Sequence, residues 1–223
     1  MNIGDIMRIA PVIPVLVVDD PAVAVPVAEA LVAGGLSVLE VTLRTPQALD
    51  VIRAMAKVPG TIVGAGTVLN PAQLAAAIEA GARFVVAPGL TTPLGEAALA
   101  RGVPLLPGVA SASDIMRGLD MGFTHVKFFP AIANGGIPAL RSLAAPFRNV
   151  RFCPTGGVTQ ETAPDWLRMP EVLCVGGSWL VPAGVPDPAA ITERALRAST
   201  LGTAEKSVAA RPPVDGKGIA NDT

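Results

Sequence analysis

Short apolar runs rich in β-branched residues alternate with alanine-rich amphipathic stretches along most of the chain. This alternation constrains the fold more than any other feature, because parallel strands joined by helices produce it. The apolar runs are continuous, as expected for strands that are covered on both faces. The predicted strands are Val12–Val18, Ser37–Leu43, Thr61–Ala65, Arg83–Ala87, Val103–Pro107, His125–Phe129, Val150–Cys153 and Val172–Val175.

Helical patterns fill the intervals between these runs. The clearest are Ala48–Lys57, Pro71–Ala80, Leu94–Arg101 and Ser113–Met121. Gly81, Gly102 and Gly122 follow three of them, at positions where a left-handed residue commonly ends a helix.

Eight strand–helix units predict a closed (β/α)8 TIM barrel rather than an open doubly wound sheet. No GxGxxG motif follows the first strand, which argues against a Rossmann domain. We expect residues 1–201 to form this single barrel domain. The remainder, Gly202–Thr223, mixes Pro, Gly, Lys and Asp without periodicity and predicts a disordered C-terminal tail.

Composition excludes several classes of protein. The net charge is −1 and no long basic run exists, so neither nucleic acid nor an anionic membrane is expected as a partner. No apolar run approaches the roughly 18 residues that span a bilayer, and no signal peptide is recognisable. Cys153 and Cys174 lie in apolar runs, which favours buried thiols in a reducing compartment and a cytoplasmic protein. With His125 as the single histidine, we expect no histidine-based metal site. No cofactor is expected either.

The second predicted strand carries charged residues within an apolar run. With a period of two, Glu40, Thr42 and Arg44 share one face of this strand, and its apolar residues share the other. A carboxylate that points into a barrel is costly unless it is paired or used in chemistry. The alternative is a purely structural ion pair between Glu40 and Arg44.

The sixth predicted strand contains a lysine between apolar neighbours. The chain has only four lysines, and Lys127 alone lies within a strand. Burial disfavours the ammonium form and lowers a lysine pKa, which yields the neutral amine that nucleophilic attack requires. Arginine could not serve in this way. The alternative is a lysine whose ammonium group extends out of the strand end into solvent.

Paired glycines follow the seventh and eighth predicted strands. They occur in Thr155-Gly156-Gly157 and in Gly176-Gly177-Ser178. Glycine lets backbone N–H groups approach an anion closely, and the start of a following helix would add a favourable dipole. These loops are the usual phosphate site of barrels, although a Gly-Gly pair can also be a simple turn. Thr67, after the third strand, could add a hydroxyl to the same site or could cap a helix.

Five segments, in order and with matching gaps, resemble the 2-keto-3-deoxy-6-phosphogluconate (KDPG) and 4-hydroxy-2-oxoglutarate (KHG) aldolase family. The resemblance extends from about Pro11 to Pro182. It implies a metal-free class I aldolase of TIM-barrel fold that assembles as a homotrimer. The matching segments are LEVTLRT (Leu39–Thr45), VGAGTVLNP (Val63–Pro71), KFFPA (Lys127–Ala131) with Asn134-Gly135-Gly136, RFCPTGGV (Arg151–Val158) and GGSWLVP (Gly176–Pro182).

The resemblance also implies a role for each matching residue. Lys127 is similar to the Schiff-base lysine and Glu40 to the general acid/base. Arg44 and Thr67 would bind the carboxylate and keto end of the substrate together with Lys127. Thr155 would influence stereochemistry at the aldehyde carbon. The remaining expected substrate contacts are Pro88, Phe129, Gly156, Gly157, Gly176, Gly177 and Ser178, where the glycines and Ser178 would bind the phosphate. Ala87 departs from the family, which has serine before Pro88.

The implied reaction belongs to the Entner–Doudoroff pathway. It cleaves 2-dehydro-3-deoxy-6-phospho-D-gluconate to pyruvate and D-glyceraldehyde 3-phosphate. Cleavage of 4-hydroxy-2-oxoglutarate to pyruvate and glyoxylate is expected as well. The expected partners are therefore a phosphorylated 2-keto acid and pyruvate. Two alternatives remain open at this point, namely a phosphogalactonate aldolase of opposite C4 preference and an inactive barrel that senses phosphorylated sugar acids.

Overall fold

Nine parallel strand segments and nine α-helices alternate along residues 1–201, which the computed structural model describes. The strands are β1 (Val12–Leu16), β2 (Val38–Thr42), β3 (Ile62–Gly66), β4 (Phe84–Val86), β5 (Leu105–Leu106), β6 (Gly108–Val109), β7 (His125–Phe128), β8 (Arg151–Pro154) and β9 (Val175–Gly177). The helices are α1 (Ile3–Met7), α2 (Ala24–Ala33), α3 (Ala48–Met55), α4 (Pro71–Glu79), α5 (Thr92–Ala100), α6 (Ala112–Asp120), α7 (Gly136–Ala144), α8 (Ala163–Leu167) and α9 (Pro188–Ser199). A 3₁₀ turn, Pro21–Val23, precedes α2. The segment predicted to be a disordered tail, 202–223, lies outside the described residues.

The strands form two parallel sheets. One has the order β5-β4-β3-β2-β1-β9 and the other the order β6-β7-β8. Only Pro107 separates β5 from β6, so the fifth strand extends beyond its predicted end at Pro107 and is divided in two. A proline lacks the N–H needed to continue the ladder, which accounts for the break. An isolated parallel bridge between Thr155 and Gly176 links the chain after β8 to β9. The predicted α/β fold with parallel strands is confirmed.

Alternate residues on each strand enter two different apolar clusters. Residues such as Leu39, Val41 and Val126 pack against the surrounding helices. We call the opposite side the inner face of the sheets, and it carries Ile13, Val38, Phe84, Val86, Leu106, Cys153 and Cys174. Ile6 and Met7 of α1 complete this inner cluster, so α1 covers the amino ends of the strands.

Among residues 1–201, no helix has the length and apolar character that a bilayer crossing requires.

Capping groups begin the main helices and glycines follow their ends. The side chains of Asn70, Thr91 and Ser111 accept hydrogen bonds from backbone N–H groups in the first turns of α4, α5 and α6. Gly81, Gly102 and Gly122 all have positive φ after these helices, as predicted.

Candidate active site

A buried ion pair connects the two sheets on their inner face. The Lys127 Nζ of β7 lies 3.1 Å from the Glu40 Oε1 of β2. The side chains are only 7% and 3% exposed, respectively. Both residues alternate with outward-packing neighbours, Leu39 and Val41 around Glu40 and Val126 and Phe128 around Lys127. The structure therefore places the predicted nucleophile and the predicted acid/base in direct contact.

The alternative interpretations of these two residues are wrong. The Lys127 ammonium does not extend into solvent, and it lies 5.2 Å from the centre of the Phe129 ring. Glu40 does not pair with Arg44. The strand ends at Thr42, and Arg44 lies exposed in the following turn with no ion-pair partner among residues 1–201. Because the chain turns at residues 43–46, the predicted common face of the strand stops before Arg44.

Thr42 shares the inner face with Glu40 but has a structural task. Its hydroxyl donates a hydrogen bond of 2.9 Å to the Leu16 carbonyl of β1. Because this donor is already satisfied within the protein, the group that remains for chemistry on β2 is the Glu40 carboxylate.

Thr67 is not a helix cap, because Asn70 occupies that position before α4. It directly follows β3 and has a φ of +58°, a left-handed conformation that is unusual for a β-branched residue. Pro88 follows β4 and is half-buried. Its carbonyl oxygen is 2.1 Å from the place where a Cβ on Gly108 would lie. Arg44, Thr67 and Pro88 thus all follow the carboxyl ends of neighbouring strands.

The glycine pairs differ from one another. Gly156 and Gly157 follow β8 with φ values of +101° and +79°, as a tight loop requires. Gly176 and Gly177 instead lie within β9, so the predicted strand end at Val175 is wrong. A Cβ on Gly176 would come within 2.3 Å of the Thr155 Oγ1, and one on Gly177 within 2.3 Å of the Trp179 ring. Close packing therefore explains the second pair.

The expected helix directly after each glycine pair is absent. The next helices, α8 and α9, begin only at Ala163 and Pro188. Ser178 is exposed and lines a cleft of about 470 Å³. Val15 also lines this cleft, and its Cα pairs in register with that of Glu40. The cleft thus extends from beside the Glu40 position to the segment after β9.

Sequence reasoning missed two glycines at the site. Gly64 and Gly66 lie on the inner face of β3 beside Phe84 and Glu40. Glycine at alternate positions of a strand was the available signal, since it indicates that another group approaches the backbone closely.

No group of three or more His, Cys, Asp or Glu side chains in residues 1–201 is arranged to hold a metal ion.

Comparison of the sequence with known proteins identifies relatives of this chain. The family model for KDPG and KHG aldolase matches residues 3–193. The 2-dehydro-3-deoxy-phosphogluconate aldolase of Zymomonas mobilis is 60% identical over 200 residues, which cover 90% of this chain and 96% of the relative. The KHG/KDPG aldolase of Escherichia coli K12 is 58% identical over 179 residues, or 80% of this chain and 84% of the relative.

A solved structure adds chemical information. The KDPG aldolase from Legionella pneumophila, crystallised with pyruvate captured at low pH as a covalent carbinolamine intermediate, superimposes with a TM-score of 0.86. It is 46% identical, and the match covers 88% of this chain and 98% of that chain.

Proposed function

The chain belongs to the KDPG and KHG aldolase family, and we propose that it performs the cleavage through an imine on Lys127. It is a carbon–carbon lyase. The substrate is 2-dehydro-3-deoxy-6-phospho-D-gluconate, and the products are pyruvate and D-glyceraldehyde 3-phosphate. The chain also cleaves 4-hydroxy-2-oxoglutarate to pyruvate and glyoxylate. The observation that carries the proposal is the buried contact of 3.1 Å between Lys127 Nζ and Glu40 Oε1.

The first half of the reaction attaches the substrate to the enzyme. Glu40 accepts the proton that the Lys127 ammonium loses, and the neutral amine attacks the C2 ketone. Glu40 then returns this proton to the carbinolamine hydroxyl, which leaves as water, so that a protonated imine and an ionised Glu40 remain. This imine is the electron sink of the following step.

The second half breaks the carbon–carbon bond. Glu40 takes the proton of the C4 hydroxyl, the C3–C4 bond breaks, and its electron pair moves into the imine to form an enamine. D-Glyceraldehyde 3-phosphate leaves. Glu40 then returns its proton to C3, and hydrolysis of the imine releases pyruvate and Lys127. One carboxylate serves both transfers because they occur in sequence.

Loops at the carboxyl ends of the strands bind the rest of the substrate. We assign the carboxylate and keto end to Arg44, Thr67 and Lys127, and the choice at the aldehyde carbon to Thr155. The exposed guanidinium of Arg44 supports this assignment, because no carboxylate of residues 1–201 pairs with it. The remaining substrate contacts are assigned to Pro88, Phe129, Gly156, Gly157, Gly176, Gly177 and Ser178.

We infer further that the two sheets close into one eight-stranded (β/α)8 barrel spanning residues 1–201. The continuity of β5 and β6 through Pro107 and the bridge from Thr155 to Gly176 support closure at both sheet edges. We propose that this barrel assembles as a homotrimer in the cytoplasm. Sedimentation velocity will test the assembly, for which a stable species of three chains is expected.

Trapping with borohydride tests the imine. After incubation with pyruvate and borohydride, mass spectrometry is expected to place the adduct on Lys127, and Lys127→Arg is expected to abolish both adduct and cleavage while the fold remains. Lys57→Arg is the matched control and should behave as the unmodified chain. An adduct on Lys57, or none, would contradict the assignment.

Cleavage assays with the gluconate and galactonate phosphates side by side determine the C4 preference, which we expect to favour the gluconate.

A further inference from the structure

The inner face of β3 carries no side chain beyond Ile62. Gly64 pairs in register with Glu40, and Gly66 pairs with Thr42. Side chains from the neighbouring strands cover the space that the two glycines leave. The Phe84 ring lies over Gly64, and the Glu40 carboxylate lies over Gly66.

The contact between Gly66 and Glu40 is closer than any side chain at position 66 would allow. A Cβ built on Gly66 would be 2.3 Å from the Glu40 Oε1, 2.7 Å from its Cγ and 2.9 Å from its Cδ. Gly66 has no positive φ, so backbone conformation does not demand glycine there. Space for the carboxylate does demand it.

The same oxygen atom faces the reacting lysine. Glu40 Oε1 lies against Gly66 and at 3.1 Å from Lys127 Nζ. The position of this oxygen is therefore limited on one side by the β3 backbone and on the other by the amine. A shift of about 1 Å in a catalytic group is enough to cost a large factor in rate.

We propose that Gly66 is a positioning residue, which holds the general acid/base in place by leaving room for its carboxylate. This inference rests on the proposed role of Glu40. A methyl group at position 66 meets only the flexible end of the Glu40 side chain among its three nearest neighbours. It therefore displaces the catalytic group and leaves the strand in place.

The first experiment separates proton transfer from imine formation. Gly66→Ala is expected to lower kcat for cleavage, and the exchange of pyruvate C3 protons, by about 100-fold, within the range that a positioned acid/base contributes. Borohydride should still trap pyruvate on Lys127. Gly118→Ala in α6 is the control, because a Cβ there would be in ordinary contact at 3.7 Å, and its rates should equal those of the unmodified chain. Unchanged exchange in Gly66→Ala would overturn the inference, whereas a lack of adduct in the unmodified chain would refute the proposed function instead.

The second experiment tests the contact itself and does not depend on the reaction. Gly66→Ala is expected to lower the melting temperature of the unmodified chain. The same substitution should not lower the melting temperature of the Glu40→Ala chain, because the methyl group then has room. The double variant should thus melt at or slightly above the temperature of Glu40→Ala. An equal loss in both backgrounds would show that the methyl group meets something other than Glu40, which would overturn the inference even if Gly66→Ala fails to fold.

Discussion

At the residue scale, Thr67 shows how the site holds an unfavourable conformation. It is the single non-glycine residue of 1–201 with a positive φ. Hydrogen bonds on both sides keep it there, because the Gly66 carbonyl accepts from Leu43 N at 2.8 Å and Val68 N donates to the Val86 carbonyl at 3.2 Å. Strain of this kind persists at functional sites where the surroundings enforce it.

Replacing Thr67 with glycine should increase the stability of the chain and weaken the binding of the substrate. Glycine adopts a positive φ without steric cost, so Thr67→Gly is expected to raise the free energy of unfolding by about 0.5–1 kcal/mol. The same change removes the hydroxyl, and we expect KM for the 2-keto acid to rise. Denaturant unfolding and steady-state kinetics measure the two effects.

A matched variant separates the strain at position 67 from the hydroxyl. Thr67→Ala loses the hydroxyl and keeps the Cβ, so it should show the higher KM without the gain in stability. A Thr67→Gly chain that is less stable than the unmodified one would contradict the assignment of strain.

Sequence reasoning could identify the charged members of the site but not the geometry around them. Glu40 and Lys127 interrupt apolar strands, and a buried charge needs a reason that can be sought in chemistry. Gly66 and Gly64 gave a weaker signal, because glycine at alternate positions of a strand has several possible causes. The conformation of Thr67 depends on hydrogen bonds from two other strands, which no local pattern encodes.

At the scale of elements, the helices were predicted best. The bounds of α3, α4, α5 and α6 agree with the expectation to within two residues. Capping side chains and glycines fix both ends of α4, α5 and α6, whereas α3 has no side-chain cap. The strands were less exact. Pro107 divided one strand and β9 extended into the glycines, since tertiary packing determines where a short strand ends. Helix α1 was missed because five residues are too few for a periodic pattern.

The missed helix α1 makes a close contact with the single histidine of the chain. A Cβ on Gly4 would come within 2.6 Å of the His125 Nε2. This nitrogen is buried and has no hydrogen-bond partner among residues 1–201, whereas Nδ1 lies 3.1 Å from the Thr124 hydroxyl. Burial lowers the pKa of His125, the nearby Arg8 and Arg151 lower it further, and Asp5 opposes them.

The depressed pKa of His125 predicts a loss of stability in mild acid. The unfolded chain binds the proton near the ordinary value of 6.5 and the folded chain only at lower pH. The contribution of neutral His125 is therefore complete above about pH 6.5 and declines as the pH falls below it. Melting temperatures between pH 5 and 8 should fall on the acid side, and the fall should be smaller in His125→Asn. Parallel pH profiles for the two chains would contradict this account.

At the scale of the whole molecule, the outer cluster holds the helices on the sheets and the inner one fills the space between α1 and the active site. Glu40 and Lys127 are the charged residues buried in residues 1–201, and they face each other. A buried ion pair of this kind contributes little net stability, whereas the loss of one partner strongly destabilises the fold because the other charge stays buried. Its place in the fold is better explained by reactivity than by stability.

Cleavage should not depend on a divalent metal ion. In the proposed mechanism the imine on Lys127 accepts the electron pair, which is the role of the Lewis acid in metal-dependent aldolases. We therefore expect activity to survive exhaustive dialysis against EDTA, measured as pyruvate formation before and after treatment. A loss of activity that a divalent ion restores would contradict the mechanism.

The position of α1 has a consequence for synthesis of the chain on the ribosome. Ile6 and Met7 are synthesised well before Cys153 and Cys174, which belong to the cluster that buries them. At roughly 5–20 residues per second, the apolar side of α1 waits on the order of 10 seconds before its last partner is made. Helix α1 thus stays incompletely buried until much of the sheet has been made, and a nascent chain that stalls before Cys174 presents Ile6 and Met7 incompletely covered to the chaperones of the cell.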